Sequence, residues 1–248
     1  MEKPLMLITG GSQGIGAATA LLAAQRGYNI CFTYLSEEAV AQQTAQKIKA
    51  LGARVLYIQT DVGKEADILR LFAQLDQEFG RLDALVNNAG ILRQKLFRDI
   101  ETKELEQLFA VNVIGSFICA REAIKRMSLA NGGKGGAIVN ISSIAARMGS
   151  PFEYVDYAAS KGAIDSFTIG LAKEVAGEGI RVNAVRPGII QTDIHAKGGE
   201  PGRVGRISPT VPLKRAGTAD EVANSILWLL SNEASYITGS LLDIGGGR

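Results

Sequence analysis

Two tyrosines precede one lysine in the segment YVDYAASKGA, which runs from Tyr154 to Ala163. On a helix, side chains four residues apart lie on one face, with Cβ atoms about 5–6 Å apart. Tyr157 and Lys161 have that spacing, whereas Tyr154 would need a basic residue at the position of Ala158. An ammonium beside a phenol stabilises the phenolate and lowers its pKa from about 10 toward neutrality. The pair therefore predicts that Tyr157 exchanges a proton with a carbonyl or an alcohol, and that Tyr154 packs or lines a pocket.

The strand before this helix places two hydroxyl groups at the same end of the fold. The segment GAIVNISS, from Gly136, is apolar and predicts a buried strand that ends in Ser142 and Ser143. Ligands of open α/β sheets bind beyond the carboxyl ends of the strands. Adjacent strand residues point to opposite faces, so only one of the two serines is expected to face the chemistry.

A glycine-rich turn near the N-terminus indicates a site for a dinucleotide. The segment TGGSQGIG, residues 9–16, stands between the first predicted strand and the first predicted helix. Its glycines allow a tight turn and the close approach of a pyrophosphate to the amides and dipole of the helix N-terminus. Glycines also occur in such turns for steric reasons alone. This turn, however, follows strand one of an α/β sheet, where a dinucleotide is expected to bind.

The residues after the second strand distinguish the two nicotinamide dinucleotides. A carboxylate there would bind the adenosine ribose diol and repel a 2′-phosphate. The chain reads FTYLSEE, with no acidic residue over 33–36, and we assign Glu37 and Glu38 to the next helix. NADP is therefore favoured. NAD stays possible, because the turn has no lysine or arginine and Gln13 occupies a loop position that is often basic in NADP users.

Strand-length and helix-length segments alternate along the chain. The helical segments include two that we expect to end with Gly27 and Gly80 as C-caps. Strands that are apolar on both faces, each followed by a helix, predict an α/β fold with a doubly wound parallel sheet of about seven strands. The predicted strands begin at Leu5, Asn29, Arg54, Leu82, Gly136, Ile180 and Ser240.

One long segment near the C-terminal end interrupts this alternation. Residues 188–217 lose periodicity and collect glycines and prolines, and a loop of that length inside a compact domain is usually functional. We expect one dinucleotide-binding catalytic domain over residues 1–248, with 188–217 as a lid on the substrate. His195 of this segment is expected to be solvated, with contact to the substrate as the alternative. A solvated surface is also the main interpretation of its basic residues, with contact to a phosphate or an acidic substrate as the alternative: Arg203, Arg206, Lys214 and Arg215.

Composition excludes several other functions. The 248 residues have a formal net charge of +2, which is too small to indicate nucleic acid or an anionic membrane surface as a partner. Cys31 and Cys119 are far apart in apolar stretches, so we expect two buried free thiols. With His195 as the single histidine, we expect neither a metal site nor a Ser–His–Asp triad. No run reaches about 18 apolar residues and the N-terminus lacks a signal-peptide pattern, so we expect a cytoplasmic protein.

Several separated motifs together resemble the compact branch of the short-chain dehydrogenases/reductases. The motifs occur in the order TGGSQGIG, Asp61, NNAG from Asn87, Asn112, Ser143, YAASK from Tyr157 and RPGIIQT from Arg186. The likeness extends over essentially the whole chain, to the terminal YITGSLLDIGGG. It implies a Rossmann-like fold and an NAD(P)-dependent oxidoreductase that acts on a small carbonyl or secondary alcohol.

The resemblance also implies a role for each matching residue. Tyr157 would exchange the proton and Lys161 would bind the nicotinamide ribose and lower the phenol pKa. Asn112 would hold a water between Lys161 and solvent. Ser143, the second serine of SSIAARMG, fits the family better than Ser142 and would hydrogen-bond the substrate oxygen. Besides Tyr157 and Lys161, contacts with the nucleotide are implied for Gly10, Ser12, Gln13, Gly14, Ile15, Gly16, Tyr34, Asp61, Val62, Asn88, Ala89, Gly90, Pro187, Gly188, Ile190 and Thr192.

Other functions and several substrates remain open at this point. A dinucleotide-sensing regulatory protein could use the same fold, although it needs none of the proton-handling residues. Epimerases or dehydratases of the longer branch use the same Tyr/Lys pair but usually carry an extra C-terminal region. Among reductases, the pattern resembles both 3-oxoacyl carrier-protein reductases and glucose or polyol dehydrogenases, and Glu178 stands where the former tend to have a basic residue. The family resemblance also implies a homotetramer.

Overall fold

A computed structural model describes residues 3–248 and contains one parallel sheet of seven strands. The spatial order is β3-β2-β1-β4-β5-β6-β7, so the predicted doubly wound parallel sheet is confirmed. Three strands begin one or two residues later than predicted, within the usual uncertainty of element ends. Met1 and Glu2, the start of the segment interpreted as lacking a signal peptide, lie outside the described residues. The strands are β1 (Leu5–Ile8), β2 (Asn29–Tyr34), β3 (Val55–Gln59), β4 (Ala84–Asn87), β5 (Gly136–Ile141), β6 (Ile180–Pro187) and β7 (Leu241–Ile244).

Three helices cover one face of the sheet. They are α1 (Gly14–Gln25), α2 (Glu38–Ala50) and the later helix Ala219–Leu230. The buried residues of α1 are small, which lets that helix approach the sheet closely. Its C-cap is Arg26, and Gly27 follows with φ +90°, so the expected glycine cap lies one residue beyond the observed end.

The helices on the opposite face have apolar stripes of helical period. Helix α3 (Glu65–Phe79) buries Ile68, Leu71, Phe72 and Leu75, which recur at three- and four-residue intervals. Gly80 ends α3 in the left-handed conformation, as predicted. Both cysteines are buried free thiols, as expected, and burial raises the pKa of each. Three further helices follow on this side and at the sheet edge: α4 (Thr102–Phe109), α5 (Gly115–Met127) and α6 (Ala145–Met148).

Helices α4 and α5 are joined without a break by a π-helical turn over Ala110–Ile114. By length and composition, the combined helix Thr102–Met127 is one that could cross a membrane. Half of the most apolar 18-residue stretch of this helix is buried inside the protein. Such burial is typical of a helix that packs in a globular core. The π-turn contains Asn112 and brings that side chain into the interior.

A buried polar connection joins the sheet to the helix that carries the Tyr/Lys pair, α7 (Val155–Val175). Asn140 of β5 donates from Nδ2 to the Thr168 hydroxyl at 2.9 Å, and its Oδ1 accepts from Asn87 Nδ2 at 2.9 Å. All three side chains are buried. Because these bonds have no competing water, they fix the position of α7 relative to the carboxyl ends of β4 and β5.

The segment 188–217 is more ordered than the predicted loop. It contains α8 (Ile194–Lys197), α9 (Arg203–Ile207) and a 3₁₀ turn at Ser208–Thr210. Its two ends are joined by a parallel bridge between Ile190 and Gly217. These helices are too short to show a helical period of apolar residues in the sequence, so they could not be predicted from it. The remaining elements are α10, which is the helix Ala219–Leu230, and 3₁₀ turns at Phe97–Asp99, Leu129–Asn131, Ala176–Glu178 and Asn232–Ala234.

We expect Asn140→Ala to lower the free energy of unfolding by about 2–4 kcal/mol, because it removes two buried hydrogen bonds and leaves a void. Urea denaturation measures the change. The control is Asn232→Ala at an exposed position, which should change the free energy by less than about 0.5 kcal/mol. Equal small effects of both substitutions would show that the buried connection does not stabilise the sheet–helix contact.

Candidate active site

The glycine turn after β1 is held by the segment that follows β4. The Thr9 hydroxyl accepts from the backbone amides of Asn88 and Ala89, each at 3.0 Å. The Asn88 side chain in turn donates to the carbonyl oxygens of Thr9 and Gly10 at 2.9 Å. Since the strand order reverses between β1 and β4, this contact lies at the switch point where α/β sheets bind their ligands.

The backbone of the turn fits a pyrophosphate and leaves no room for side chains. A Cβ on Gly16 would lie 2.3 Å from the Gly10 carbonyl oxygen, and Gly10 and Gly14 have φ angles of +64° and +56°. The N-cap residue of α1, Gln13, makes no side-chain cap, so the first amides of this helix have no acceptor within it. This turn can therefore hold an anionic phosphate group on α1.

A cavity of about 370 Å³ extends from this turn along the carboxyl ends of the strands. Its walls are completed by the short helix α6, the start of α7 and the segment 188–217. Predicted site residues on the wall are Ile15, Asn88, Gly90, Ser143, Tyr157, Lys161, Pro187, Gly188, Ile190 and Thr192.

Tyr157 and Ser143 meet on this wall, as the sequence predicts. Burial raises the pKa of Tyr157 to about 12, while its hydrogen bond with the Ser143 hydroxyl acts in the opposite direction. Burial therefore opposes the lowering of the phenol pKa that the Tyr/Lys spacing predicts. The ammonium of Lys161 lies 5.6 Å from the centre of the phenol ring and donates to the Ile141 carbonyl oxygen at 2.7 Å, so its charge is directed at the backbone.

Lys161 is itself strongly affected by its surroundings. Its side chain is 4% exposed, and burial lowers its pKa to about 8. A Cβ on Gly90 would lie 3.6 Å from the Lys161 ammonium and 3.4 Å from Oδ1 of Asn112. Position 90 is therefore the point where the lysine and the asparagine approach the cavity.

Both the oxygen and the nitrogen of the Asn112 side-chain amide form hydrogen bonds. Its Oδ1 accepts from the Ile91 amide at 2.8 Å, and its Nδ2 donates to the Ile91 carbonyl oxygen at 2.9 Å and to Ser160 Oγ at 3.2 Å. The side chain is fully buried and does not line the cavity. Its visible function is to hold the backbone after Gly90. A π-turn of this kind often occurs at functional sites, and no sequence pattern predicted it.

Ser142 and Tyr154, the alternatives to Ser143 and Tyr157, have hydrogen-bond partners of their own. The Ser142 hydroxyl donates to the Lys161 carbonyl oxygen at 3.2 Å. Tyr154 is 2% exposed, contacts Tyr157 edge-on with ring centres 6.4 Å apart, and lies within 3.4 Å of a Glu200 carboxylate oxygen. Tyr154 therefore packs and lines the cavity, as the sequence analysis expected.

The basic residues of the segment 188–217 are not a uniform solvated surface. Arg203 is 14% exposed, lies over the Tyr154 ring, and pairs with Glu153 at 2.6 Å and Glu200 at 2.8 Å. Arg206 pairs with the same two carboxylates. Burial raises the pKa of both glutamates, but hydrogen bonds from the two arginines outweigh it and hold each pKa below its usual value. We call these four residues the lid charge cluster.

Comparison with known proteins supports the resemblance along the whole chain. A family model described as enoyl-(acyl carrier protein) reductase matches residues 10–248. YgfF of Escherichia coli K12, described as an uncharacterised oxidoreductase, is 52% identical over 245 residues, covering 98% of this chain and 99% of its own. The 3-oxoacyl-(acyl-carrier-protein) reductase FabG of Staphylococcus epidermidis is 34% identical over 241 residues, covering 97% of each chain.

Solved structures give the same result. A short-chain dehydrogenase of Burkholderia cenocepacia, in complex with NADP, has a TM-score of 0.90 at 33% identity, covering 98% of this chain and 97% of its own. The chain belongs to the short-chain dehydrogenase/reductase family. The general reaction of these enzymes is NAD(P)-dependent oxidoreduction. An acetoin dehydrogenase of Salmonella typhimurium has a TM-score of 0.86 at 37% identity, covering 99% of this chain and 96% of its own.

Some predicted nucleotide contacts lie outside the main cavity of this short-chain dehydrogenase/reductase. Tyr34 packs against Tyr57 with ring centres 6.1 Å apart, in the core. Val62 is buried against Gly115, and the Asp61 carboxylate accepts from the Gly63 amide at 3.0 Å. Six more predicted contacts form or support the glycine turn and do not line that cavity. They are Gly10, Ser12, Gln13, Gly14, Gly16 and Ala89.

Other cavity residues were outside the site predicted from the sequence of this short-chain dehydrogenase/reductase, or were only alternatives in it. His195 lines the wall, its Nδ1 is buried without a hydrogen-bond partner, and burial lowers its pKa, so the residue is half-buried and lies where its alternative role, contact with the substrate, requires it. Arg203 and the terminal Arg248 also reach the cavity because helix and strand packing bring them there. An apolar wall is formed by Leu92, Ile144, Met148, Ile189, Ile194 and Ile207.

The lowered pKa of Lys161 predicts a pH-dependent stability. Between about pH 8 and pH 10.5 the unfolded chain binds this proton and the folded chain does not. The stability of the wild type should therefore rise with pH through that window, by about 3 kcal/mol relative to Lys161→Met. Urea denaturation at pH 7 and pH 10.5 measures it.

The matched control is Lys173→Met, at an exposed position of the same helix. This substitution should leave the difference from the wild type constant with pH. A constant difference for Lys161→Met as well would show that the ammonium is not destabilised by burial.

Proposed function

We propose that this enzyme is an NADP-dependent oxidoreductase that transfers a hydride between nicotinamide and a small carbonyl or secondary alcohol. The observation that carries the proposal is the meeting of Tyr157, Ser143 and Lys161 on one wall of a cavity that begins at the glycine turn. The NADP complex of the Burkholderia cenocepacia relative supports the choice of dinucleotide. So does the absence of an acidic residue over positions 33–36.

The turn after β2 gives mixed support for NADP over NAD. Glu38 begins α2, as predicted, but Glu37 is the N-cap residue with φ −92° and lies before the helix. A carboxylate is thus nearer the turn than the sequence analysis assumed. The Glu37 carboxylate pairs with Lys197 at 2.9 Å, which reduces the repulsion that it would exert on a phosphate.

In the proposed reaction, bound NADPH would supply the hydride for reduction of a carbonyl, or NADP⁺ would accept one from an alcohol, and the protein residues handle the proton. Tyr157, whose pKa burial raises to about 12, would carry its proton at neutral pH and would donate it to a carbonyl oxygen during reduction. A phenol with so high a pKa is a weak acid, so the transfer would depend on stabilisation of the phenolate. Ser143 is placed to donate to the same oxygen. Lys161 is positively charged below about pH 8 and would stabilise the phenolate that remains after the transfer.

The cavity supports a small substrate with apolar and polar parts. Its wall combines aliphatic side chains and Met148 with hydroxyl, amide and charged side chains. The segment 188–217 would act as the lid of a single catalytic domain over residues 1–248, because α8 and α9 contribute Ile194, His195, Arg203 and Ile207 to this wall. A short hydroxy ketone, a 3-oxoacyl thioester and a sugar or polyol are all compatible with that chemistry.

A homotetramer in the cytoplasm completes the proposal, with no nucleic acid or membrane as partner. Apolar side chains are exposed along the helices after β4 and β5, where the Phe117 and Phe167 rings stack with centres 3.9 Å apart. Ile114 is 52% exposed and Ile169 is 39% exposed beside them. Contact between copies of the chain at these helices would cover that surface.

A non-catalytic dinucleotide sensor is the alternative, and the site favours catalysis over it. A sensor could use Lys161 to bind the nicotinamide ribose. Nucleotide binding alone, however, does not require a phenol and a serine hydroxyl together on the cavity wall beside that lysine. Proton transfer explains the presence of these two groups.

The substrate class is best tested by a turnover screen with NADPH and NADH. The substrates are acetoin and other small ketones, sugars, polyols, and 3-oxoacyl and 2-enoyl thioesters. We expect reduction of at least one carbonyl class with a higher kcat/KM for NADPH than for NADH. Turnover of the enoyl thioesters alone would contradict carbonyl reduction, and a preference for NADH would contradict the assignment of NADP.

Tyr157→Phe should lower kcat for the best substrate by about 10²–10⁴-fold, because it removes the proton donor. Nucleotide affinity, measured by quenching of protein fluorescence, should change by less than about twofold. The matched control is Tyr154→Phe, which keeps the buried ring and should reduce kcat by less than about tenfold. Comparable losses for both variants would mean that the wrong tyrosine was assigned.

A further inference from the structure

We propose that Lys197 is the cationic ligand of the 2′-phosphate of NADP, and therefore a residue that determines which dinucleotide binds. The proposal rests on the proposed function. Lys197 is the last residue of α8 in the segment 188–217, far in sequence from the glycine turn and from β2. Neither the sequence analysis nor the family resemblance assigned it a role.

The ammonium of Lys197 lies between the two turns that would enclose the adenosine ribose. Its Nζ donates to the Gln13 side-chain oxygen at 3.0 Å and to both carboxylate oxygens of Glu37 at 2.9 Å. Gln13 is the N-cap residue of α1, in the glycine turn, and Glu37 is the N-cap residue of α2, directly after β2. One side chain of the segment 188–217 thus connects both turns.

These turns have no positive charge of their own. The glycine turn has Gln13 where a basic residue is often found in NADP users, and the turn after β2 has Leu35 and Ser36 followed by two glutamates. Glu37 and Glu38 make this corner negative and would repel a doubly charged phosphate. With Lys197 it gains the one cation that the described contacts place on both turns.

The charge of Lys197 is available to a ligand. The side chain is 48% exposed and that of Glu37 is 43% exposed, and ion pairs at such exposure are weak. A phosphate oxygen can therefore replace the Glu37 carboxylate at the ammonium with little loss, and the new charge-assisted bond is the stronger one. Because Lys197 belongs to the segment 188–217, a nucleotide with a 2′-phosphate would contact that segment as well as the glycine turn.

The test uses 2′,5′-ADP and 5′-AMP as probes, because they differ only in the 2′-phosphate. Isothermal titration calorimetry on the full chain gives the Kd for each. For Lys197→Met we expect the Kd of 2′,5′-ADP to rise about tenfold, as loss of one charge-assisted hydrogen bond implies, and the Kd of 5′-AMP to stay within about twofold. The preference of the wild type for 2′,5′-ADP should also fall as salt is added.

Two further variants complete the experiment. Lys214→Met removes another exposed lysine of the same segment, whose Nζ contacts the Pro209 carbonyl oxygen, and should change neither Kd. Glu37→Gln removes the competing carboxylate and should lower the Kd of 2′,5′-ADP severalfold. An unchanged Kd of 2′,5′-ADP in Lys197→Met, or an equal rise for both probes, would overturn the proposal.

Failure of the NADP assignment is distinguishable from failure of this residue assignment. A wild type that binds both probes equally, and turns over carbonyls with NADH, would contradict the NADP assignment and this proposal together. A wild type that prefers 2′,5′-ADP, with a Lys197→Met variant that keeps the preference, would contradict the role of Lys197 alone. Weaker binding of 5′-AMP by Glu37→Gln would instead assign Glu37 to the ribose hydroxyls of NAD.

Discussion

The buried ammonium of Lys161, held against the Ile141 carbonyl oxygen at 2.7 Å, is the contact around which the site is organised. It joins the end of β5 to the second turn of α7, and the same helix presents Tyr157 to the cavity. Burial lowers the pKa of Lys161 to about 8, so the protein maintains this charge at a cost in stability. Strong burial of a charged group inside a cavity is typical of functional sites.

Several surrounding features serve to keep that ammonium in place. Gly90 lies beside both Lys161 and Asn112, since a Cβ on it would be in van der Waals contact with the ammonium and with the amide oxygen. Asn112 holds the backbone at Ile91 with two hydrogen bonds, and the Asn140 amide holds α7 through Thr168. These contacts are distributed over β5, α7 and the π-turn. The positions of the site residues therefore depend on the packing of the sheet and helices that carry them.

The elements, and the position of Tyr157 and Lys161 on one helix, could be predicted from the sequence because their signals are local. Strand pattern gave the parallel sheet, and helical spacing gave Tyr157 and Lys161 as a pair on one face. The electrostatics could not be predicted in this way. Spacing alone suggested a lowered phenol pKa, whereas burial raises it to about 12, because the penalty of desolvation depends on everything that packs around the hydroxyl.

Long-range contacts were also beyond the sequence. Lys197 is 160 residues from Glu37 along the chain. No local sequence pattern at either residue indicates that the two form an ion pair. Arg203 and His195 stand in a glycine-rich segment that suggested a solvated loop, yet short helices turn both toward the cavity. Burial in such a segment is decided by tertiary packing, which no local pattern records.

The lid charge cluster has a consequence for how substrates arrive. Two carboxylates and two guanidinium groups cancel, and every one of them is paired within the cluster. The cluster consequently contributes little net field to a molecule that diffuses toward the protein, whether that molecule is anionic or cationic. Any attraction of charged molecules to the cavity must then come from its other charged groups, among them Lys161 and Arg248.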